Sequence, residues 1–200
     1  MECPFGAIEI GPDRYPVVAE TRCRRCGVCM GACPVRTINF DNYSVHQVTE
    51  MIRAVEVPAE SGAAPRVLIL ACENDAYPAL DMAGINRRKF SPFVRTIPVR
   101  CLGSVNVSWV IEALAQGFDG VMLMGCKSTD DYQCHFVKGS RIAEERMTKM
   151  ADTLEMMMLH QGRVTAEEIS IADSARVPGV IDDFVARIGE LEPNPFKGIP

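Results

Sequence analysis

The sequence predicts an α/β protein in two unequal parts, a short cysteine-bound segment followed by a parallel sheet covered by helices. Three observations carry this. Between residues 66 and 192, four runs of strand character each precede a helical pattern, and strand–helix repetition builds parallel sheets with helices on their faces. Five of the nine cysteines crowd into the first 40 residues, where a chain this short lacks an independent core and needs a metal or a cross-link. Residues 44–65 lie between the two parts, and their second half, rich in Pro, Gly and Ala, reads as a linker.

The elements follow in order. Residues 7–10 and 37–40 are short strand candidates, with a Gly-Pro-Asp turn at residues 11–13. Ser44 caps a short helix whose apolar residues are Val45, Val48, Ile52 and Val55. Residues 67–70 form an unbroken apolar run, as expected of a strand buried on both faces. A helix over residues 77–86 comes next, then a weaker strand at 96–99, where Pro98 argues against a central position. Val107, Val110, Ile111 and Leu114 keep helical spacing up to a stop at Gly117. Residues 121–124 are a third strand, and a long helix over 138–159 puts Ala143, Met147, Met150, Leu154 and Met157 on one face. Residues 168–172 read as a fourth strand. Val177, Val180, Ile181, Phe184, Val185 and Ile188 then make the cleanest amphipathic helix of the chain. Residues 193–200 read as a loose tail.

Composition narrows the function. A net charge of −5 argues against a nucleic-acid binder, which would show a basic face. The longest apolar stretches, such as residues 67–71, fall far short of the roughly 20 residues that span a bilayer. No export signal opens the sequence. The expected location is therefore cytoplasmic, where nine cysteines are metal or redox ligands rather than structural disulfides.

Cys23-x2-Cys26-x2-Cys29-x3-Cys33-Pro34 matches the bacterial ferredoxin run that holds [4Fe–4S] clusters, so the first part reads as a partial ferredoxin-type domain. Thiolates at this spacing on a tight loop each reach a different iron of one cube. Gly27 and Gly31 are expected to let the backbone wind closely around it. In two-cluster ferredoxins the last cysteine of each run serves the other cluster. Cys23, Cys26 and Cys29 then take their fourth thiolate from Cys3, which precedes Pro4, and Cys33 points to a second [4Fe–4S] cluster whose other ligands lie outside this chain. The expectation is that residues 1–43 continue a ferredoxin domain begun upstream. The alternatives are a single cluster that uses Cys33 in place of Cys3, and structural zinc, which favours two separated Cys pairs.

Cys72, Cys101 and Cys126 fall just past three predicted strands, and Cys134 lies in the loop after Cys126. Ligands of open parallel sheets gather at the carboxyl ends of the strands. Four thiols brought there would close a [2Fe–2S] or a zinc site, although any single buried cysteine is as well explained as a small apolar residue. Gly103 and Gly125 allow close backbone approach. Lys127 reads as a solvated surface residue, and His135 would need a second histidine to act as a ligand. His46 and His160 lie on helical stretches and carry no chemistry. Arg87, Arg88 and Lys89 read as a solvated loop, and Met156 as the exposed member of the methionine-rich helix.

The stretches at residues 71–84, 99–103 and 125–136 resemble the delta subunit of methyl-viologen-reducing hydrogenase (the MvhD family). With the half-ferredoxin before them, the chain is similar to the C-terminal part of the QmoB family of the quinone-interacting membrane-bound oxidoreductase, itself akin to the flavoprotein component of heterodisulfide reductase. The resemblance implies FAD bound only in an upstream region, and a [2Fe–2S] cluster on Cys72, Cys101, Cys126 and Cys134. It also implies electron transfer between a quinone-linked membrane partner and adenylylsulfate reductase in sulfur metabolism. The chain would then sit peripherally on the inner face of the membrane through partner subunits. One departure stands out: many proteins of the delta-type family carry a cysteine where this chain has Asp75.

No residue reads as a general acid, base or substrate clamp, and no phosphate-binding glycine loop occurs. The expectation is an electron-transfer module without chemical turnover of its own. Its rivals are an adaptor between hydrogenase and heterodisulfide reductase, a zinc-stapled assembly module, and a thiol enzyme cycling Cys126 and Cys134.

Overall fold

The structure is a computed structural model and describes residues 3–57, 64–128 and 134–198. Four strands, β3 (Val67–Cys72), β4 (Val94–Val99), β5 (Gly120–Gly125) and β6 (Val164–Glu168), form one parallel sheet in the order β4-β3-β5-β6. The mixed α/β class and the parallel sheet are as expected. β3 and β5 are buried along their whole length, which is why they read as unbroken apolar runs. β4 mixes buried and exposed residues and takes an edge, where Pro98 costs no ladder bond.

Alternate residues of the strands feed two apolar layers. Leu68, Leu70, Val121 and Leu123 face α4 (Val107–Ala115), α2 (Val45–Arg53) and the helices after β5. Val67, Ile69, Met122 and Met124 face α3 (Ala76–Ile85) and α7 (Val177–Glu190). Trp109 is fully buried in the first layer, and its indole N–H donates to Val45 O at 2.9 Å, which fixes α2 against the sheet domain. The Ser44 cap is present and completed by Gln47 into a reciprocal capping box.

Several expectations are corrected. The fourth strand lies at Val164–Glu168 rather than 168–172, and Ile171–Ala175 is a 3-10 turn capped by Ser170 and Asp173. The long helix is two, α5 (Gly139–Thr148) and α6 (Ala151–Met156), broken between Thr148 and Ala151. Residues 37–40 form no strand. β1 (Ile8–Ile10) instead pairs in an antiparallel hairpin with β2 (Pro16–Val18), and Phe40 only bridges to Tyr43. The tail expected to be loose is tied down at residues 194–197. Asn194 is buried and donates to Leu114 O and Phe118 O, and Lys197 Nζ lies 2.8 Å from Asp119 Oδ2. Residues 58–63 of the expected linker, and residues 129–133 between Cys126 and Cys134, lie outside the described residues.

The cysteine-rich segment is not a separate appendage. α1 (Val28–Ala32) packs on the 3-10 turn Leu102–Ser104, which follows Cys101 at the end of β4. Glycines make this approach possible. A Cβ on Gly31 would stand 2.5 Å from Gly103 O, and one on Gly103 would stand 2.8 Å from Val28 Cγ2. Gly27, at φ +81, would place a Cβ 2.7 Å from Ser104 Cβ. These glycines were expected to wind the chain around a cluster. Gly27 does hold a left-handed bend beside Cys26, yet both it and Gly31 are also required by contact with the sheet domain.

Candidate metal centres

The first group builds around a cavity of about 290 Å³, lined by Cys3, Cys23, Cys26, Cys29, Ile38 and Phe40 among others. Cys3 arrives from the turn before β1, and its sulfur accepts the Ala7 N–H at 3.3 Å. Cys26 and Cys29 flank Val28 at the start of α1. Burial pushes both thiols up, and the nearness of Cys3 and Cys23 pushes them further. Such a group resists ionising together without a cation among its members, whereas sulfur-bound iron favours the thiolates. Cys33 is outside this cavity. Its thiol, 8% exposed, lies 3.5 Å from Thr37 Oγ1 and is lowered to about 7 by that hydroxyl and by the backbone N–H groups of Ile38, Thr37 and Val35. The four members proposed for one cube stand together, and Cys33 stands apart in its own amide cradle.

The second group lies at the carboxyl edge of the sheet. β3 is the first strand of the sheet in sequence, yet β4 adds to one side of it and β5 to the other, so the crevice between β3 and β5 is the switch point where such sheets bind ligands. Cys72 ends β3, Cys126 follows β5, and their sulfurs are 3.6 Å apart. Cys101 and Cys126 both hydrogen-bond Cys134. All four are buried. Gly139, the first residue of α5, makes room, since a Cβ there would stand 2.1 Å from Cys101 Sγ and 3.3 Å from Cys134 Sγ.

The protons of the second group are unevenly shared. Hydrogen bonds from Cys101 and Cys126 draw Cys134 far below the ordinary thiol range, and the bond from Cys126 brings Cys72 to about 7. Donation and burial push Cys101 and Cys126 well up. Backbone N–H groups of Gly103, Asn74, Phe136 and Gly139 also point at these sulfurs, the arrangement that favours thiolate ligands. Among the described residues, no group of three or more His, Cys, Asp or Glu side chains is set to hold a single metal ion. The four sulfurs form one connected chain, Cys72 to Cys126 to Cys134 to Cys101, a donor set that fits either an iron–sulfur cluster or zinc.

The neighbours sort differently from expectation. Lys127, read as a solvated residue, pairs with Asp173 at 2.7 Å. Asp75 is 1% exposed. Its Oδ1 accepts the Ile171 N–H at 3.3 Å, and its Oδ2 lies 4.0 Å from His135 Nε2. His46 lies on α2 and is exposed. His160, expected on a helix, instead caps the 3-10 turn Gln161–Arg163, its Nδ1 accepting the Gly162 N–H. Met156 is 77% exposed, as expected. The residues that escaped notice are Arg146, Asn106 and Tyr43. Arg146 on α5 donates to Val28 O and Gly103 O, Asn106 donates to the carbonyls of Met30, Gly31 and Cys33, and Tyr43 OH pairs with Ser104 Oγ. Their partners are backbone carbonyls and a hydroxyl in distant segments, which no local pattern announces.

Residues 67–192, the part carrying the strand-end thiols, match the family described as methyl-viologen-reducing hydrogenase, delta subunit. The chain belongs to this family. A relative in Archaeoglobus profundus, the D-type iron-sulfur subunit of F420-non-reducing hydrogenase, is 33% identical over 133 residues, 66% of this chain and 95% of that one. The A-type subunit of the ferredoxin:CoB-CoM heterodisulfide reductase of Methanosarcina mazei is 32% identical over 191 residues, 96% of this chain. The chain spans 23% of the length of that relative. The match extends past the delta-type part into the cysteine-rich segment. Among the described residues, no helix is long and apolar enough to cross a membrane.

Proposed function

We propose that this chain is an iron–sulfur relay that passes single electrons between subunits of a hydrogenase- or heterodisulfide-reductase-type complex. Cys3, Cys23, Cys26 and Cys29 hold a [4Fe–4S] cluster, and Cys72, Cys101, Cys126 and Cys134 hold a [2Fe–2S] cluster. Cys33 is kept for another [4Fe–4S] cluster completed from outside the chain, and any FAD binds outside it as well. The clusters supply the one-electron chemistry, and the chain supplies thiolates, amide hydrogen bonds and burial that set their potentials.

The observation that carries this reading is the shared wall between the two thiol groups. The turn after Cys101 packs directly on the loop that carries Cys26 and Cys29, so the two thiol groups flank a single packed seam. A zinc-stapled module has no use for that adjacency. The relatives named above belong to hydrogenase and heterodisulfide reductase complexes, which weighs toward an adaptor of that kind. A quinone-linked complex serving adenylylsulfate reductase would need the same two centres but has no such support.

Anaerobic iron and sulfide quantitation with electron paramagnetic resonance tests the assignment. Cys26→Ser should abolish one reduced-cluster signal and Cys72→Ser a different one. If both variants lost the same signal, or if zinc replaced iron in the isolated protein, the two-centre reading would fail.

A further inference from the structure

We infer that Arg146 is a positioning residue that clamps the two cluster-bearing loops together and so sets the electronic coupling between the centres. The inference rests on the relay reading and adds to it a residue that is no ligand. Arg146 reaches from α5 into the seam. One guanidinium nitrogen donates to Gly103 O at 2.6 Å and Val105 O at 3.4 Å, both on the turn after Cys101. The other donates to Val28 O at 3.2 Å, between Cys26 and Cys29. Val28, Gly103 and Val105 are all buried, so water does not serve these carbonyls. A planar guanidinium, with five N–H donors and two separate terminal nitrogens, reaches carbonyls on both loops at once.

The seam has no slack. A Cβ on Gly31 would fall 2.5 Å from both the Arg146 guanidinium and Gly103 O. Without the guanidinium, three carbonyl oxygens would face one another across a dry contact, and the relief is to let water in and move the loops apart. Other ties keep the segments attached. Asn106 holds Met30, Gly31 and Cys33, Tyr43 holds Ser104, and Arg100 Nε donates to Arg25 O at 2.9 Å. Loss of Arg146 therefore loosens the spacing of the loops without detaching them.

The test uses the whole chain loaded anaerobically with iron and sulfide. In the fully reduced wild type, two neighbouring paramagnetic clusters should broaden or split each other's resonances. Arg146→Gln should keep the iron content and the separate signals seen at partial reduction, yet lose that mutual broadening. Gly31→Ala, which wedges the seam with Arg146 intact, should do the same and decides the matter if Arg146→Gln loses iron. In the metal-free chain, Arg146→Gln should speed amide hydrogen exchange at Leu102–Ser104 and Val105. Broadening that survives in both variants, or unchanged exchange, overturns the clamp while leaving the relay standing. A wild type with both clusters and no broadening overturns the relay reading itself, and the clamp with it.

Discussion

At Gly139 the requirement for a missing side chain can be put in numbers, because a methyl group there would overlap Cys101 Sγ at 2.1 Å. The overlap cannot be relieved by a flexible tip, since the sulfur sits on a short side chain pinned at the end of β4. Gly139→Ala should therefore empty the strand-end centre. The expected result is loss of its share of bound iron and of visible absorbance, with the ferredoxin-type signal retained. A second test at this scale concerns Asp173. The Lys127 ammonium, first, and the Ser170 N–H hold its carboxyl down to about 2. A depressed carboxylate stabilises the fold above its unfolded value near 4, and that contribution fades as pH falls toward 2. The pair is partly exposed, so its worth at neutral pH is at most about 2 kcal/mol. Asp173→Asn should be less stable than wild type by up to that amount at pH 7, and the two acid-unfolding curves should converge between pH 4 and 2.

Elements show where sequence patterns inform and where they stop. Buried strands β3 and β5, the edge position of β4 and the Ser44 cap were legible because each follows from local residues: unbroken apolar runs, a proline, a hydroxyl before a helical stripe. The cysteine run is equally local, being four thiols within eleven residues. Val164–Glu168 was missed because its residues are only half-buried at a sheet edge and lack an apolar run. The break near Met150 was missed because the apolar stripe continues through it; Met150, Leu154 and Leu159 are all buried. The tail was misread because its anchors are polar. Asp119 accepts from Lys197 Nζ, from the Arg66 N–H and from the Asn194 N–H, and such a pocket leaves no periodic trace. Its cost is testable. Lys197→Ala strips a cation from a carboxylate that is 5% exposed, and the surviving N–H donors offset only part of the loss. Urea unfolding should show about 2 kcal/mol of destabilisation, with the clusters' spectra unchanged.

Across the whole molecule, the two parts rest on different foundations, and this dictates how they respond to metal removal. The sheet domain has an apolar layer on each face, with Trp109, Phe118, Phe184 and the residues of β3 and β5 buried. Among the described residues, the first 40 bury only Ala7, Cys26, Val28, Met30 and Cys33 as apolar side chains, and leave Ile10, Tyr15, Val17, Val18 and Val35 exposed. Of those buried residues, Val28 and Met30 belong to α1, which the sheet domain holds. In the proposed cluster, Cys3 and Cys23 would fasten the β1–β2 hairpin to Cys26 and Cys29. Chelation of iron under anaerobic conditions should therefore release the hairpin while the sheet keeps its structure, since small segments of this kind fold on their metal. Hydrogen exchange should rise steeply at Ile8–Ile10 and at Val17 and Val18, and little at Val67–Cys72 and Gly120–Gly125. A sheet that lost protection together with the hairpin would mean that the strand-end cluster, rather than the apolar layers, holds the larger part together. A hairpin that kept its protection would mean that its few apolar contacts suffice, and the cavity around Cys3 would then have no structural need of iron.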